Sequence, residues 1–202
     1  IYRRVKEDAS LSLRIHTGLS LERPVWKNDL ERRFLEPFVK RLFDGYVELD
    51  YMKDLRARKL PDNVSIREFY AKAGSILNVD HAQQNYTSSN YTHAYRDLLN
   101  AGVNVVMQMV SPAEDGSAYS LSCNSDVSLD VVPVLHERMK AGATIEIIGM
   151  TNPRLPFMYG DAVVPAEVFT GIVDSPKYHF RLFGAPKMAV TPIQHLIGLH
   201  AS

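Results

Sequence analysis

The sequence predicts an α/β fold with a mostly parallel open sheet flanked by helices. Two short apolar runs, Val105–Val110 and Ile145–Met150, are bounded by turn-forming residues. Each run is too short for a free-standing helix, so each predicts a buried strand. Between them Ser128–Lys140 has a helical pattern, with Pro133 near its first turn and Gly142 after its end. A strand, a helix and a second strand in this order usually connect neighbouring parallel strands.

A strand and a long helix are predicted near the start of the chain. Three apolar residues alternate with polar ones, as in a strand with one buried face; they are Leu11, Leu13 and Ile15. Apolar residues then recur at helical spacings; they are Leu30, Phe34, Leu35, Phe38, Val39 and Leu42. Asn28 and Glu31 fit a capping box at the start of this helix. Pro37 should kink or split it.

Three further elements precede the central unit. A short exposed helix is predicted over Asp50–Lys59, and a strand over Val64–Tyr70. The clearest helix is predicted over Ser88–Asn100, with a serine as its cap and Gly102 as its left-handed C-terminal residue. Its expected inner face consists of Tyr91, Ala94, Tyr95, Leu98 and Leu99.

The remaining predicted elements are short. Residues 119–123 alternate larger and small side chains and predict a strand, and Gly171–Asp174 predicts another. Thr191 is suited to cap a final helix that begins at Pro192.

The domain organisation follows from the length and from the two ends. At 202 residues, one large domain is expected. The chain begins on Ile1 rather than Met, and no C-terminal stop signal follows the apolar face of the last helix. We therefore expect a fragment of a two-domain protein. Its α/β domain would span residues 1–190, and residues 191–202 would start a helix leading to the second domain.

Composition excludes several functional classes. Lys and Arg together number 23, as do Asp and Glu, so no basic surface argues for nucleic acid or an anionic membrane as a partner. No apolar run approaches the roughly 20 residues of a membrane span. The single cysteine, Cys123, cannot form an internal disulfide, which favours a reducing, cytoplasmic location. The sequence leaves a homodimer open.

The common cofactor and catalytic motifs are absent from the sequence. The seven histidines contain no H-x-x-x-H pair and Cys123 has no cysteine partner, so no metal site is expected. There is no G-x-G-x-x-G, no Walker-type loop and no G-x-S-x-G. Neither a tightly bound nucleotide cofactor nor a serine-hydrolase mechanism is therefore expected.

Two segments rich in Pro, Gly, Asn and Asp follow the two central strands, at 111–120 and 151–162. Ligands in open α/β sheets bind at the carboxyl ends of parallel strands. These segments are therefore the expected position of a binding site.

The sequence of this region resembles that of the acetyl-CoA hydrolase/transferase family, relatives of the 4-hydroxybutyrate and acetate CoA-transferases. The matching residues are Ser111-Pro112, Asp115-Gly116, Ser120-Leu121, Asp126, Asn152-Pro153, Pro156 and Gly160-Asp161. The chain departs from the family pattern at Ala113-Glu114 and at Leu155. The resemblance covers most of the chain and implies a CoA-transferase-like fold, of which this chain is the N-terminal half.

The same resemblance implies acyl-CoA and small carboxylates as substrates. In such enzymes a glutamate attacks the thioester and then carries coenzyme A as a glutamyl thioester. The resemblance places that glutamate in the second half of the protein, so no catalytic residue is assigned to this chain. The expected substrate and coenzyme A cleft is lined by Ser111, Gly116, Ser120, Asn124, Asp126, Asn152, Pro156 and Gly160.

Several alternatives stay open. Ser88 and Asn90 could bind an anion at a helix N-terminus, or Ser88 could simply cap the helix. Asp126 could line the cleft, or cap the helix that follows it. The chain could also be a non-catalytic domain that binds acyl-CoA or a partner, or part of a sugar-phosphate isomerase-like enzyme. The isomerase would need an acid/base pair that the sequence does not display.

Overall fold

The structure is a computed structural model that describes residues 1–183 and 189–201. Helices and strands are numbered in chain order. The helices are α1 Tyr2–Glu7, α2 Asp29–Leu42, α3 Asp50–Arg56, α4 Asp80–Gln84, α5 Ala94–Asn100, α6 Ser128–Lys140 and α7 Pro192–Ala201. The strands are β1 Leu13–Thr17, β2 Val64–Glu68, β3 Val105–Pro112, β4 Ala118–Ser120, β5 Glu146–Thr151, β6 Val163–Pro165 and β7 Gly171–Val173. The predicted domain boundary at residue 190 follows residues 184–188, which lie outside the described ranges, and it stays a prediction.

The larger sheet has five strands in the order β6-β4-β3-β5-β7. Its β3, β5 and β7 are parallel, with Val106 opposite Ile147 and Val110 opposite Thr151. The predicted α/β class and the predicted parallel pair are therefore confirmed. The sheet is mixed, because β4 runs antiparallel to β3 and β6 runs antiparallel to β4.

The main core lies between this sheet and α6. Val110, Leu135 and Ile147 are completely buried there. The opposite face of β3 is more open, since the side chains of Val105 and Met107 are 43% and 57% exposed. The prediction that β3 is a buried strand thus holds for only one of its faces.

A second, smaller core lies under a two-stranded sheet. β1 and β2 pair in parallel, with Ile15 opposite Ile66. Met52 and Leu55 of α3 pack with Ile66, and all three side chains are buried. The chain thus has two hydrophobic clusters among its described residues.

Three predicted helices differ from the structure. The α3 helix was predicted as exposed over Asp50–Lys59, but it ends at Arg56 and buries Met52 and Leu55. The α5 helix begins at Ala94 rather than at Ser88, because the Asn90 side chain accepts a hydrogen bond from the His93 backbone N–H at 3.1 Å and shapes a separate turn. Of the kink or split predicted at Pro37, the split is absent. α2 runs continuously through this exposed proline, where water can reach the backbone carbonyl that lacks an N–H partner.

The predicted cap of α2 is present. The Asn28 side chain accepts a hydrogen bond from the Glu31 backbone N–H at 2.9 Å, and the Glu31 carboxylate accepts one from Lys27 N–H at 2.7 Å. The predicted inner face of α2 is less covered than expected, since Leu30 and Phe34 are largely exposed and Val39 is buried.

Candidate functional site

The two polar segments that follow β3 and β5 contact each other. The Ser120 hydroxyl donates to the carbonyl of Met158 at 2.7 Å and accepts from the Met158 N–H at 3.0 Å. The Ser122 hydroxyl donates to the carbonyl of Pro156 at 2.7 Å. The backbone N–H of Leu121 donates a hydrogen bond to the Ala162 carbonyl at 2.7 Å. Residues 111–126 and 151–162 therefore form one surface, which we call the two-segment wall.

The first part of the wall is a β-hairpin rather than an open loop. Ala113 N–H donates to the Ala118 carbonyl at 2.9 Å, and Gly116 occupies the exposed tip with a φ of 70°. The Asp115 carboxylate accepts hydrogen bonds from the Ser117 hydroxyl at 2.7 Å and the Ser117 N–H at 3.0 Å. These bonds favour the ionised carboxylate and lower the pKa of Asp115.

Ser111 and Ser120 lie at the base of this hairpin, directly opposite each other in the β3–β4 pair. Both side chains are buried, and Ser120 is completely inaccessible. Ser120 also accepts a hydrogen bond from the Ser122 N–H at 3.1 Å. Its hydroxyl therefore joins the two segments and is not presented to a ligand.

Asn152 has the same kind of role in the second segment. Its side chain is 1% exposed. Its amide N–H donates to the Phe180 carbonyl at 3.0 Å, and its amide oxygen accepts from Arg154 N–H at 3.0 Å. Asn152 thus fixes the chain direction after β5 and ties it to the segment at residue 180.

Gln108 is a site residue that sequence reasoning missed. Its buried amide donates to the Asn124 carbonyl at 2.8 Å and accepts from the Ser128 hydroxyl at 2.6 Å. The Asn124 amide in turn donates to the Met109 carbonyl at 3.2 Å. The available signal was a single polar residue inside the apolar run of β3. Gln108 positions residues 124–128, the link between the wall and α6.

The exposed surface of the wall is formed by other candidates. Pro156 and Gly160 are exposed, and Gly160 has a φ of 74° at the start of a 3₁₀ turn. Cys123 and Asp126 are exposed on the first segment. A ligand that contacts the wall from outside would meet these residues, whereas Ser120 and Asn152 lie behind them.

Asp126 does not cap α6. The N-cap position belongs to Val127, and no side chain makes a cap hydrogen bond there. Asp126 itself is exposed with a φ of 44°, a left-handed conformation that is unfavourable for most side chains and that Asp adopts more readily than Ala. Its role in the fold is therefore set by its backbone.

This backbone role gives a stability prediction for Asp126. We expect Asp126→Gly to change the free energy of unfolding by less than about 0.5 kcal/mol, because relief of the left-handed strain offsets the greater entropy of glycine in the unfolded chain. Asp126→Ala should be less stable than Asp126→Gly by about 1 kcal/mol. Urea denaturation of both variants measures the difference. Equal losses in the two variants would show instead that the carboxylate stabilises the fold.

The weaker candidates Ser88 and Asn90 do not lie at a helix N-terminus. They precede the turn at residues 91–93, and α5 starts only at Ala94. The Asn90 side chain is occupied by His93, and the Ser89 hydroxyl donates to the Asn90 carbonyl at 3.1 Å. An anion site based on the N-terminus of α5 therefore loses its structural basis.

A cavity in the core and two absences among the described residues complete the description of the site. A largely apolar cavity of about 110 Å³ lies between α6 and the sheet; it contacts Leu121 and Ser128 but no residue of the second segment. Among the residues that the structure describes, no three His, Cys, Asp or Glu side chains are grouped to hold a metal ion. In the same ranges, no helix is both long and apolar enough to cross a membrane.

Comparisons with known proteins identify the fold. No protein-family model and no curated protein sequence matches the chain. Among solved structures, the chain is similar to RipA from Yersinia pestis, with a TM-score of 0.52 and 20% identity over 97% of this chain and 46% of that one. It thus spans less than half of RipA. A 4-hydroxybutyrate CoA-transferase from Porphyromonas gingivalis matches at a TM-score of 0.37 and 15% identity, over 86% of this chain and 38% of that one. Similarity at that level does not establish a common fold.

Proposed function

We propose that this chain is the first half of an enzyme that moves coenzyme A between an acyl thioester and a small carboxylate, or hydrolyses the thioester. The observation that carries the proposal is the two-segment wall. Its segments follow parallel strands β3 and β5, join through Ser120 and Ser122, and contain the ordered residues that resemble the acetyl-CoA hydrolase/transferase family. The wall would form one side of a cleft completed by a second half.

In this proposal the wall shapes the cleft and a glutamate of the second half reacts. The glutamate carboxylate attacks the thioester carbonyl and expels the coenzyme A thiolate, leaving an acyl-glutamyl anhydride. The thiolate then attacks the glutamyl carbonyl, which releases the acyl group as a carboxylate and leaves glutamyl-CoA. Coenzyme A is substrate here, and no tightly bound cofactor is needed.

The buried residues of the wall would act indirectly. Ser120 and Asn152 hold backbone groups in place, so they would set the shape of the cleft without touching the acyl group. Direct contact would fall to the exposed residues, among them Cys123, Asp126 and Pro156.

The first experiment is an assay of the complete protein with a panel of acyl-CoAs, with and without acetate. We expect acyl-CoA to be consumed. Formation of acetyl-CoA from acetate would indicate a transferase, and release of free coenzyme A without an acceptor would indicate a hydrolase. The 202-residue chain alone should show no turnover, because its nucleophile is placed elsewhere. Saturable acyl-CoA binding by the complete protein without any turnover would favour the non-catalytic binding domain instead.

A second experiment tests whether the wall lies next to the substrate. Cys123 is exposed on the first segment, so a bulky thiol reagent attached there should obstruct the cleft and raise the KM for acyl-CoA. The matched control is Cys123→Ser in the same protein, whose KM for acyl-CoA should be the same before and after treatment with the reagent. Full activity of protein shown by mass spectrometry to carry the label at Cys123 would contradict the placement of the wall.

A further inference from the structure

A second cavity lies outside the two-segment wall, between the small β1–β2 sheet and α5. Its volume is about 70 Å³. Its polar lining consists of His16, Thr17, Arg67, Thr87, Ser89 and Asp97. None of these residues belongs to the wall, so the cavity is a separate feature from the proposed coenzyme A cleft.

Arg67 is the unusual residue of this cavity. It stands opposite His16 in the parallel pair, near the carboxyl ends of both strands. Its Nε atom is shut off from solvent and has no hydrogen-bond partner among the described residues. Buried polar groups are nearly always hydrogen-bonded, and one left without a partner is costly. An anionic oxygen in contact with Nε would satisfy it.

The other titratable groups around the cavity do not take the place of an anion beside Arg67. Asp97 is paired with Arg96 at 3.0 Å. Burial lowers the pKa of His16, and the positive charges of Arg67 and Arg14 lower it further. The ring of His16 is therefore neutral near pH 7 and competes little with Arg67 for an anion.

We propose that Arg67 binds a small carboxylate in this cavity, with the hydroxyls of Thr17 and Thr87 available as further donors. The planar guanidinium matches the two oxygens of a carboxylate in a bidentate arrangement. The small volume suits a group of the size of acetate. The site goes beyond the proposed function, because it requires neither the wall nor a second half.

The test is an acetate titration of the 202-residue chain, followed by the NMR signals of the His16 ring. Bound acetate would offset the charge of Arg67, so we expect it to raise the pKa of His16 in a saturable manner. By linkage, acetate should bind more tightly as the pH falls through that pKa. The His16 signals are identified by their loss in a His16→Gln variant.

Matched variants separate the site from general charge effects. Arg67→Gln should weaken acetate binding at least tenfold, and Arg67→Lys should weaken it less, because the charge stays while the bidentate geometry is lost. Arg14→Gln removes an exposed arginine of the same small sheet and should leave acetate affinity within twofold. Backbone NMR spectra test whether each variant is folded. If Arg67→Gln does not fold, the loss of acetate affinity is measured with Arg67→Lys.

Three outcomes would overturn the proposal. One is the absence of a saturable effect of acetate on His16 in the unmodified chain. Another is unchanged acetate affinity in a folded Arg67 variant, or an equal loss in Arg14→Gln. The third is inorganic phosphate binding more tightly than acetate, which would make the site a phosphate site.

Discussion

Replacing Asn152 with alanine should lower the free energy of unfolding by about 2–3 kcal/mol in the absence of any substrate. The side chain is almost completely buried, and its amide satisfies the carbonyl of Phe180 and the N–H of Arg154. Alanine leaves both backbone groups without their partner, and each unsatisfied group costs on the order of 1–3 kcal/mol, partly offset where water reaches it. Urea denaturation of the 202-residue chain measures the effect.

Asn124→Ala is the matched control for this experiment. The Asn124 amide makes one hydrogen bond, to Met109 at 3.2 Å, while its buried Oδ1 has no partner in the described part of the chain. Alanine removes both the bond and the unsatisfied oxygen, so we expect a loss below about 1 kcal/mol. If the two asparagine variants were equally destabilised, the structural role of Asn152 would have to be abandoned.

Leu135→Ala should have the largest effect, a loss of about 3–4 kcal/mol. Leu135 is completely buried between α6 and the large sheet, where it packs with Val110 and Ile147. Alanine removes the buried methyl groups and leaves a cavity, which together cost about 2–5 kcal/mol in well-packed cores. The same denaturation experiment measures this loss.

Leu129→Ala provides the comparison on the same helix. Leu129 is 40% exposed, so the same truncation removes less buried surface and should cost less than about 1 kcal/mol. A loss of that size for Leu135→Ala as well would mean that α6 does not pack on the sheet as described.

The burial of Asn152 and Ser120 affects how activity measurements should be interpreted. Both were expected in the substrate cleft, yet their polar atoms are bound to backbone groups. A drop in turnover after either substitution could follow from a displaced segment alone. Exposed residues such as Cys123 and Pro156 are therefore better reporters of substrate contact.

The central strands were predictable because their apolar runs are short and bounded by turn residues. The buried face of β3 was not predictable, since Met107 on the open face is as apolar as Val106 on the covered face. Only the position of α6 decides which side of β3 is buried. The hairpin after β3 did carry a signal. Asp115-Gly116 is a common hairpin turn, but its flanking strand residues are polar and few, so no hairpin was predicted. A strand was predicted over 119–123, and the structure has β4 at Ala118–Ser120.

Local side-chain competition explains the difference at α5. Ser88 is a good cap and the following apolar residues have helical spacing, so a helix from Ser88 was reasonable. In the structure Asn90 bonds forward to His93 and forms its own turn, and the regular helix starts afterwards. The roles of Ser120, Gln108 and Asn152 depend on contacts between distant segments, which periodicity in one sequence does not encode.

The existence of two hydrophobic clusters has a consequence for how the chain opens. A two-stranded sheet such as β1–β2 is marginally stable by itself, whereas β3 and β5 lie in a five-stranded sheet over the larger hydrophobic core. Backbone amides of β1 and β2 should therefore exchange with deuterated solvent through partial opening events, and those of β3 and β5 only when the whole chain unfolds. The molecule would then behave as two cooperative units, each with its own opening free energy.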